Sequence, residues 1–312
     1  MTLTQDVYTL VVEGYRYSAN WETLAELPHF LHDLTLGATR KEKSPHRCYT
    51  DLHTHIRADV SICDVIEEAS KRVDILNIVT RTRESNDGHL SFDKAVEKLE
   101  QEKVEHELIG TRIAQVKGER PFYLLRGTEI YVKERQGIVM AGTDKEFDEN
   151  EFYLGEAISA CKDMGSFWFL DHPFSIGAPV IAFRYPTKDE MKMRRRWFDT
   201  YRPVIETGNH QNTLWMYPSN VLARRMARKH DLVGISNSDT HFRLQDIGLS
   251  RSSFPKDLLD DSSEEAFFSS LQQAFSPEFR DELKIESGYA SIWSFGKYMI
   301  LPHIPWVLGM KQ

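Results

Sequence analysis

The stretch that most constrains this chain is Asp51-Leu52-His53-Thr54-His55. Two imidazoles two positions apart leave the same face only where the backbone is extended, because side chains alternate across a strand. Upstream stands Arg47-Cys48-Tyr49-Thr50, and downstream Ile56-Arg57-Ala58-Asp59 is polar enough to leave a sheet. The pair therefore belongs at the end of a strand, where ligands gather in barrels built of parallel strands. Taken alone it reads more readily as ordinary core or surface histidines than as a metal-binding pair.

Three further clusters stand in the same relation to short apolar runs. Gly127-Thr128-Glu129-Ile130 follows the run at 122–125, Asp171-His172-Pro173 follows 167–170, and Ser238-Asp239-Thr240-His241 follows 232–235. Packing does not ask for His, Asp or Glu at four strand ends, since a buried charge is costly unless it is paired or bound to a metal.

In this order the motifs resemble the PHP (polymerase and histidinol phosphatase) family of metal-dependent phosphoesterases over residues 49–241, most specifically in Asp-Leu-His-Thr-His and Ser-Asp-Thr-His. The resemblance implies an α/β fold, a distorted seven-stranded β/α (TIM-like) barrel with extra N-terminal and C-terminal segments, and two or three divalent metals at the strand C-termini. It implies His53, His55, Glu129 and Asp239 as ligands of a first metal, with Glu129 bridging, His172 serving a second and His241 a third. Three departures stand out. Thr80-Arg81-Thr82 lacks the histidine of the family's Thr-Asp-His. The run 137–142 offers only Val139 where the family has another, and Asp59 and Ser61 lie near a further ligand position without matching it. Two metals are the expected count, with one or three as alternatives.

Composition sets the frame. A chain of 312 residues, 41% hydrophobic and 28% charged, has the length of one barrel-sized domain. Its expected divisions are an extension at 1–46, a core at 47–250 and a C-terminal helical and apolar segment at 251–312. A net charge of −8 argues against a surface that coats nucleic acid. Cys48, Cys63 and Cys161 are odd in number and lack C-x-x-C spacing, so they indicate neither a disulfide framework nor a zinc-thiolate site and fit a reducing cytoplasm. Residues 1–10 show no secretory signal. The apolar tail at 289–310 is broken by Lys297, Pro302, His303 and Pro305, so no membrane span is expected; it reads as a cover for the barrel or as a homo-oligomer contact.

Along the chain, 7–17 reads as a strand or hairpin, 21–34 as a helix and 40–45 as a charged loop. Residues 64–73 and 75–79 make a helix and a buried strand. A helix over 91–107 starts on Ser91 as N-cap, and others cover 152–164, 219–230 and 262–275. The basic run 186–196, with Lys188, Lys192, Arg194, Arg195 and Arg196, reads as a solvated helix face or as the rim of a phosphate-binding mouth. His89, in its loop, is a stand-in for the missing histidine.

The expected chemistry follows from the ligand types. Imidazoles and carboxylates suit zinc, manganese or iron, and such ions activate a water against a phosphate ester. His241 or His210 is the candidate general acid, and Arg57, Arg81 and Arg83 the phosphate clamp; Arg81 and Arg83 read equally as exposed partners of Glu84 or Asp87. Asp171 is placed to orient an imidazole, and Glu206 lies where a supporting carboxylate would. The expected substrate is a phosphorylated small molecule or nucleotide, with a nucleic-acid end less favoured. No P-loop, Gly-x-Ser-x-Gly or dinucleotide fingerprint is present. The alternatives are an amidohydrolase-type metal hydrolase and a non-catalytic PHP-like barrel that serves as a binding module.

Overall fold

The computed structural model describes residues 12, 21–38, 42–81, 88–143, 147, 151–177, 183–213, 216–241 and 243–291. In chain order they form α1 (Trp21–Leu36), β1 (Arg47–Thr54), α2 (Ile62–Ser70), β2 (Ile75–Arg81), α3 (Phe92–Gln101), β3 (His106–Ile109), β4 (Ile113–Val116), β5 (Phe122–Tyr131) and β6 (Gly137–Ala141). Then come α4 (Leu154–Asp163), β7 (Phe167–Leu170), β8 (Ile176–Gly177), β9 (Phe183–Arg184), α5 (Lys188–Tyr201), β10 (Ile205–Asn209), α6 (Pro218–His230), β11 (Gly234–Asn237), β12 (Arg251–Pro255), α7 (Glu264–Ala274) and β13 (Lys284–Glu286). The expected strand or hairpin at 7–17 lies outside the described residues apart from Val12, and the tail from 292 onward lies outside them altogether.

Why these segments take these forms is legible locally. Ile75 to Val79 of β2 is apolar at nearly every position and fully buried, as a parallel strand covered on both faces requires. Ser61 and Ser91 cap α2 and α3 by accepting from the N–H of Asp64 and Lys94. The expected helix over 91–107 stops at Gln101. Lys103 then takes a positive φ of 58°, and a hairpin folds back through Gly110 at φ 68°, a conformation glycine adopts without penalty.

One sheet contains eleven strands rather than the seven expected. Seven of them follow one another as β11-β10-β7-β6-β5-β2-β1, and that path returns on itself where Thr54 bridges Thr240 in parallel. The peptide N–H of His55 donates to Thr240 O at 2.7 Å and that of Asp239 to His53 O at 2.8 Å, which joins the two ends of the path. The extra strands arise because β5 and β1 are long. The first part of β5 pairs with β4 (Val116↔Phe122 to Ile113↔Leu125), and its second part pairs with β6 (Gly127↔Ala141 to Tyr131↔Gly137). Likewise β12 pairs antiparallel with the first half of β1, and β13 pairs with β12. The C-terminal segment thus holds the helix expected over 262–275, as α7, and also contributes two strands to the barrel sheet. The β1–β2, β2–β5, β7–β10 and β10–β11 pairs are parallel; β6 runs against both of its neighbours.

Leu52, Val79, Leu125, Val139, Phe169 and Ile235 share one buried cluster with Phe267, Phe268, Leu271 and Phe275 from α7 and its end. Burying each such side chain contributes roughly 1.5–3 kcal/mol, so this apolar floor anchors the strand ends that carry the polar residues. On the outside, Phe30 of α1 stacks on Tyr217 at 4.3 Å, and Asp33 accepts from the peptide of Tyr289 at 3.0 Å. No helix among the described residues is long and apolar enough to cross a membrane.

Candidate metal centre

His53 lies in β1 and His55 just beyond it, and both are fully buried. Their Nε2 atoms stand 3.2 Å apart, as two same-face imidazoles of an extended segment do when both turn to one point. Asp239 Oδ1 completes the group, 3.3 Å from His53 Nε2 and 3.8 Å from His55 Nε2, while Glu129 Oε2 lies 3.3 Å from His55 Nε2. Atoms that share a tetrahedral ion at about 2.0–2.2 Å stand about 3.3–3.6 Å from one another. His53 Nε2, His55 Nε2 and Asp239 Oδ1 therefore stand close to the spacing of a coordination shell, with Glu129 Oε2 beside His55. Asp239 takes φ 50°, in the left-handed region that Asp tolerates better than most residues.

Glu129 is delivered differently from expectation. The strand was expected over 122–125 with the glutamate beyond it, yet β5 continues to Tyr131 and holds Glu129 within its pairing with β6. Val139 is its directly opposed partner, an apolar member of the floor cluster with no ligand atom. On the other side, Glu129 Oε1 lies 3.9 Å from His172 Nε2, and Asp171 Oδ2 lies 3.0 Å from the same nitrogen. His172 Nδ1 faces the carbonyl oxygen of Ser175 at 2.9 Å, so it carries a proton and turns Nε2 to the carboxylates. Asp171 reaches this place because Gly137 has no side chain: a Cβ there would overlap the Asp171 carboxylate. Two donor groups result, His53–His55–Asp239 and His53–Glu129–Asp171, all buried.

The electrostatics fit a divalent ion. Glu129 Oε1, Asp239 Oδ1 and His55 Nδ1 are buried without a hydrogen-bond partner among the described residues, an arrangement that is costly unless something cationic answers the carboxylates. Burial, then the neighbouring His241, lowers His55 to about 3, which keeps it a neutral ligand. Asp239 is held at about 2 by His53, His241 and His172 despite its burial. Burial raises Asp171 to about 6; its carboxylate in turn lifts His172 to about 10 against the effect of burial. His53 is likewise raised, with Asp239 and Glu206 outweighing burial.

A surrounding layer holds these donors, and most of it escaped the sequence. Glu206 is the hub. Its carboxylate accepts from Asn237 Nδ2 at 2.9 Å, Asn209 Nδ2 at 2.8 Å and the peptide of His172 at 2.9 Å, and faces His53 Nδ1 at 3.4 Å. A carboxylate on Nδ1 fixes the tautomer that leaves Nε2 for a metal. Asn209 also donates to Asp239 Oδ2 at 3.0 Å, which leaves Oδ1 for the centre. The only hint in the sequence was the position of Glu206 near the end of an apolar run. Arg194, part of the basic run read as solvated face or phosphate rim, is buried instead and donates from Nε to Pro173 O at 2.6 Å, pinning the turn that carries His172.

Toward the opening, His241 lies 4.4 Å ring to ring from His55, with Nδ1 2.9 Å from Asp239 O. His89 also joins this edge, 5.3 Å from the His55 ring and 5.8 Å from that of His241. Arg81 Nε donates to Glu129 Oε2 at 2.9 Å, and burial does not prevent that carboxylate from being held well below its ordinary range by the guanidinium. Arg57 is engaged elsewhere: half exposed, it grips Asp59 with two bonds of 2.9 and 2.6 Å. His210 is fully buried, with Nε2 3.9 Å from Asp246 Oδ1. Ser61 serves as the α2 cap. Arg83 lies outside the described residues.

No family model matches the chain, and no curated protein does. Among solved structures it is similar to a two-domain protein containing a predicted PHP-like metal-dependent phosphoesterase from Bacteroides vulgatus (15% identity, 80% of this chain and 69% of that one, TM-score 0.49). It is also similar to PsfC from Pseudomonas syringae (12% identity, 72% and 88%, TM-score 0.47) and to a lesion-specific endonuclease from Pyrococcus furiosus (13% identity, 77% and 57%, TM-score 0.45). With TM-scores below 0.5 in all three, the chemistry of this chain rests on its own residues: a barrel-shaped sheet whose strand ends bring buried His, Asp and Glu to one point.

Proposed function

We propose that this chain is a metal-dependent hydrolase of phosphate esters, a divergent member of the PHP family. The observation that carries the reading is the convergence of His53 Nε2, His55 Nε2 and Asp239 Oδ1 at separations of 3.2 to 3.8 Å, with Glu129 Oε2 3.3 Å from His55 Nε2. These residues would hold a first ion, and Glu129 Oε1, Asp171 and His172 a second. Zinc, manganese or iron bound there supplies a Lewis acid that polarises a phosphoryl group and lowers the pKa of water.

The protein's own residues do the rest. Glu206 keeps the His53 tautomer, and Asn209 keeps Asp239 Oδ1 turned inward. Arg81 spends Nε on Glu129, which anchors its guanidinium beside the centre as a clamp for phosphoryl oxygens. His241, expected as a general acid, has Nδ1 turned to a backbone carbonyl and is lowered by burial, so its Nε2 is a proton acceptor, suited to taking a proton from the attacking water. Exposure rises from 0% at the side chain of His53 to 17% at His241 and 39% at Arg81, so a terminal phosphate enters past these two. That access favours a phosphorylated small molecule or nucleotide.

The test is metal analysis of protein purified without chelator, with hydrolysis of a generic phosphomonoester and phosphodiester measured beside a His53→Ala/Asp239→Ala double variant. The expected result is about two metals per chain and turnover, both lost in the variant. Wild-type protein holding no more metal than the variant after supply of manganese or zinc would sink the reading.

A further inference from the structure

Tyr131 enters the site by strand alternation. It follows Glu129 by two positions on β5, so both side chains leave the same face, while Ile130 between them joins a separate buried cluster. Across the sheet Tyr131 is directly opposed to Gly137, and opposed residues of an antiparallel pair project to the same side. The space above Gly137 is the one the Asp171 carboxylate fills. Tyr131 therefore shares its face of the sheet with Asp171 and Glu129. Above it, the guanidinium carbon of Arg81 lies 5.6 Å from the ring centre. Tyr131 as a residue is partly exposed where Glu129 is fully buried.

We propose that the Tyr131 hydroxyl is a substrate contact, the second arm of an anion subsite in which Arg81 is the first and a terminal phosphate the ligand. The inference rests on the hydrolase reading above. The ring face orients the guanidinium, because a flat delocalised cation stacks on an aromatic surface. A neutral hydroxyl at the edge of the same ring is a donor suited to a phosphoryl oxygen, and no carboxylate at the site can supply one while ionised.

The experiment is calorimetric titration of inorganic phosphate into manganese-loaded wild type, Tyr131→Phe and Tyr131→Leu, with metal content and thermal midpoint recorded for each. A hydrogen bond to a charged group is worth about a factor of ten to a hundred in affinity. Tyr131→Phe should lose about that much while retaining its metal. Tyr131→Leu should lose more, since Arg81 also loses the surface it stacks on. Phenylalanine binding phosphate as tightly as wild type would overturn the inference and leave the hydrolase reading standing. Wild type that holds no metal, or that binds phosphate equally well in chelator, would overturn both.

Discussion

Replacing Glu206 by glutamine is the sharpest probe of how the centre is held, because shape is kept and only acceptor capacity changes. The carboxylate, fully buried, faces donors with both oxygens: Asn237 Nδ2 and His53 Nδ1 on one, the peptide of His172 and Asn209 Nδ2 on the other. A glutamine offers one acceptor oxygen and an NH2 group. Whichever way its amide turns, two buried donors lose their acceptor and meet another donor. At about 1–3 kcal/mol for each buried group left unsatisfied, the cost is about 2–6 kcal/mol, a large share of the roughly 5–15 kcal/mol that holds a domain together. At roughly 2–4 °C per kcal/mol, the midpoint in chelator should fall by at least about 4 °C. Metal affinity, measured by competition with a chromophoric chelator, should fall about 10- to 100-fold as the His53 tautomer is released. An unshifted midpoint together with unchanged affinity would refute the assignment of Glu206 as the hub.

Further outcomes follow from other parts of the same geometry. Gly137→Ala should cost about 1–3 kcal/mol by forcing the Asp171 carboxylate aside and should lower the number of bound metals; full metal content would show that Asp171 is no ligand. In metal-free protein, His172 sits at about 10, above its ordinary 6.5, so its protonated imidazole contributes stability that is full below about pH 6.5 and is lost as pH rises through about 10. Asp171, raised to about 6, acts in the same direction at lower pH, whereas Asp239, lowered to about 2, contributes above about pH 4 and loses that contribution only in strong acid. Melting curves in chelator should therefore decline from neutral to alkaline pH, and a flat profile there would contradict the His172–Asp171 pairing. Arg194→Met removes the buried donor to Pro173 O and should weaken metal binding through His172 while leaving the His53 side intact; equal loss at both would point to general unfolding instead.

How much of this was written in the sequence depends on distance along the chain. His53 and His55 on one face, Glu129, His172 and Asp239 near the ends of apolar runs, and the serine caps of α2 and α3 all follow from alternation or capping within a few residues. Arg194 in a run of basic residues looks solvated because burial is not a local property. Residues 106–116 and 251–255 were missed as strands because what makes them strands is a partner elsewhere, β5 for the first and β1 for the second. Tyr131 carried no signal until the extended length of β5 placed it beyond Glu129 on the same face.

The residue types at the strand ends, and the period that turns them to one side, were determined by the sequence alone, since both depend on neighbouring dihedrals. The coordination-like spacing was decided only by closure of the barrel. Leu52 donates to the side chain of Asn237, 185 positions away, and the peptides of Asp239 and His55 bond across the same seam. Those hydrogen bonds bring Asp239 to the paired histidines and let Glu206 hold them. Contacts so remote in the chain exist only once the apolar floor has paid the entropy of closing the long loops between them.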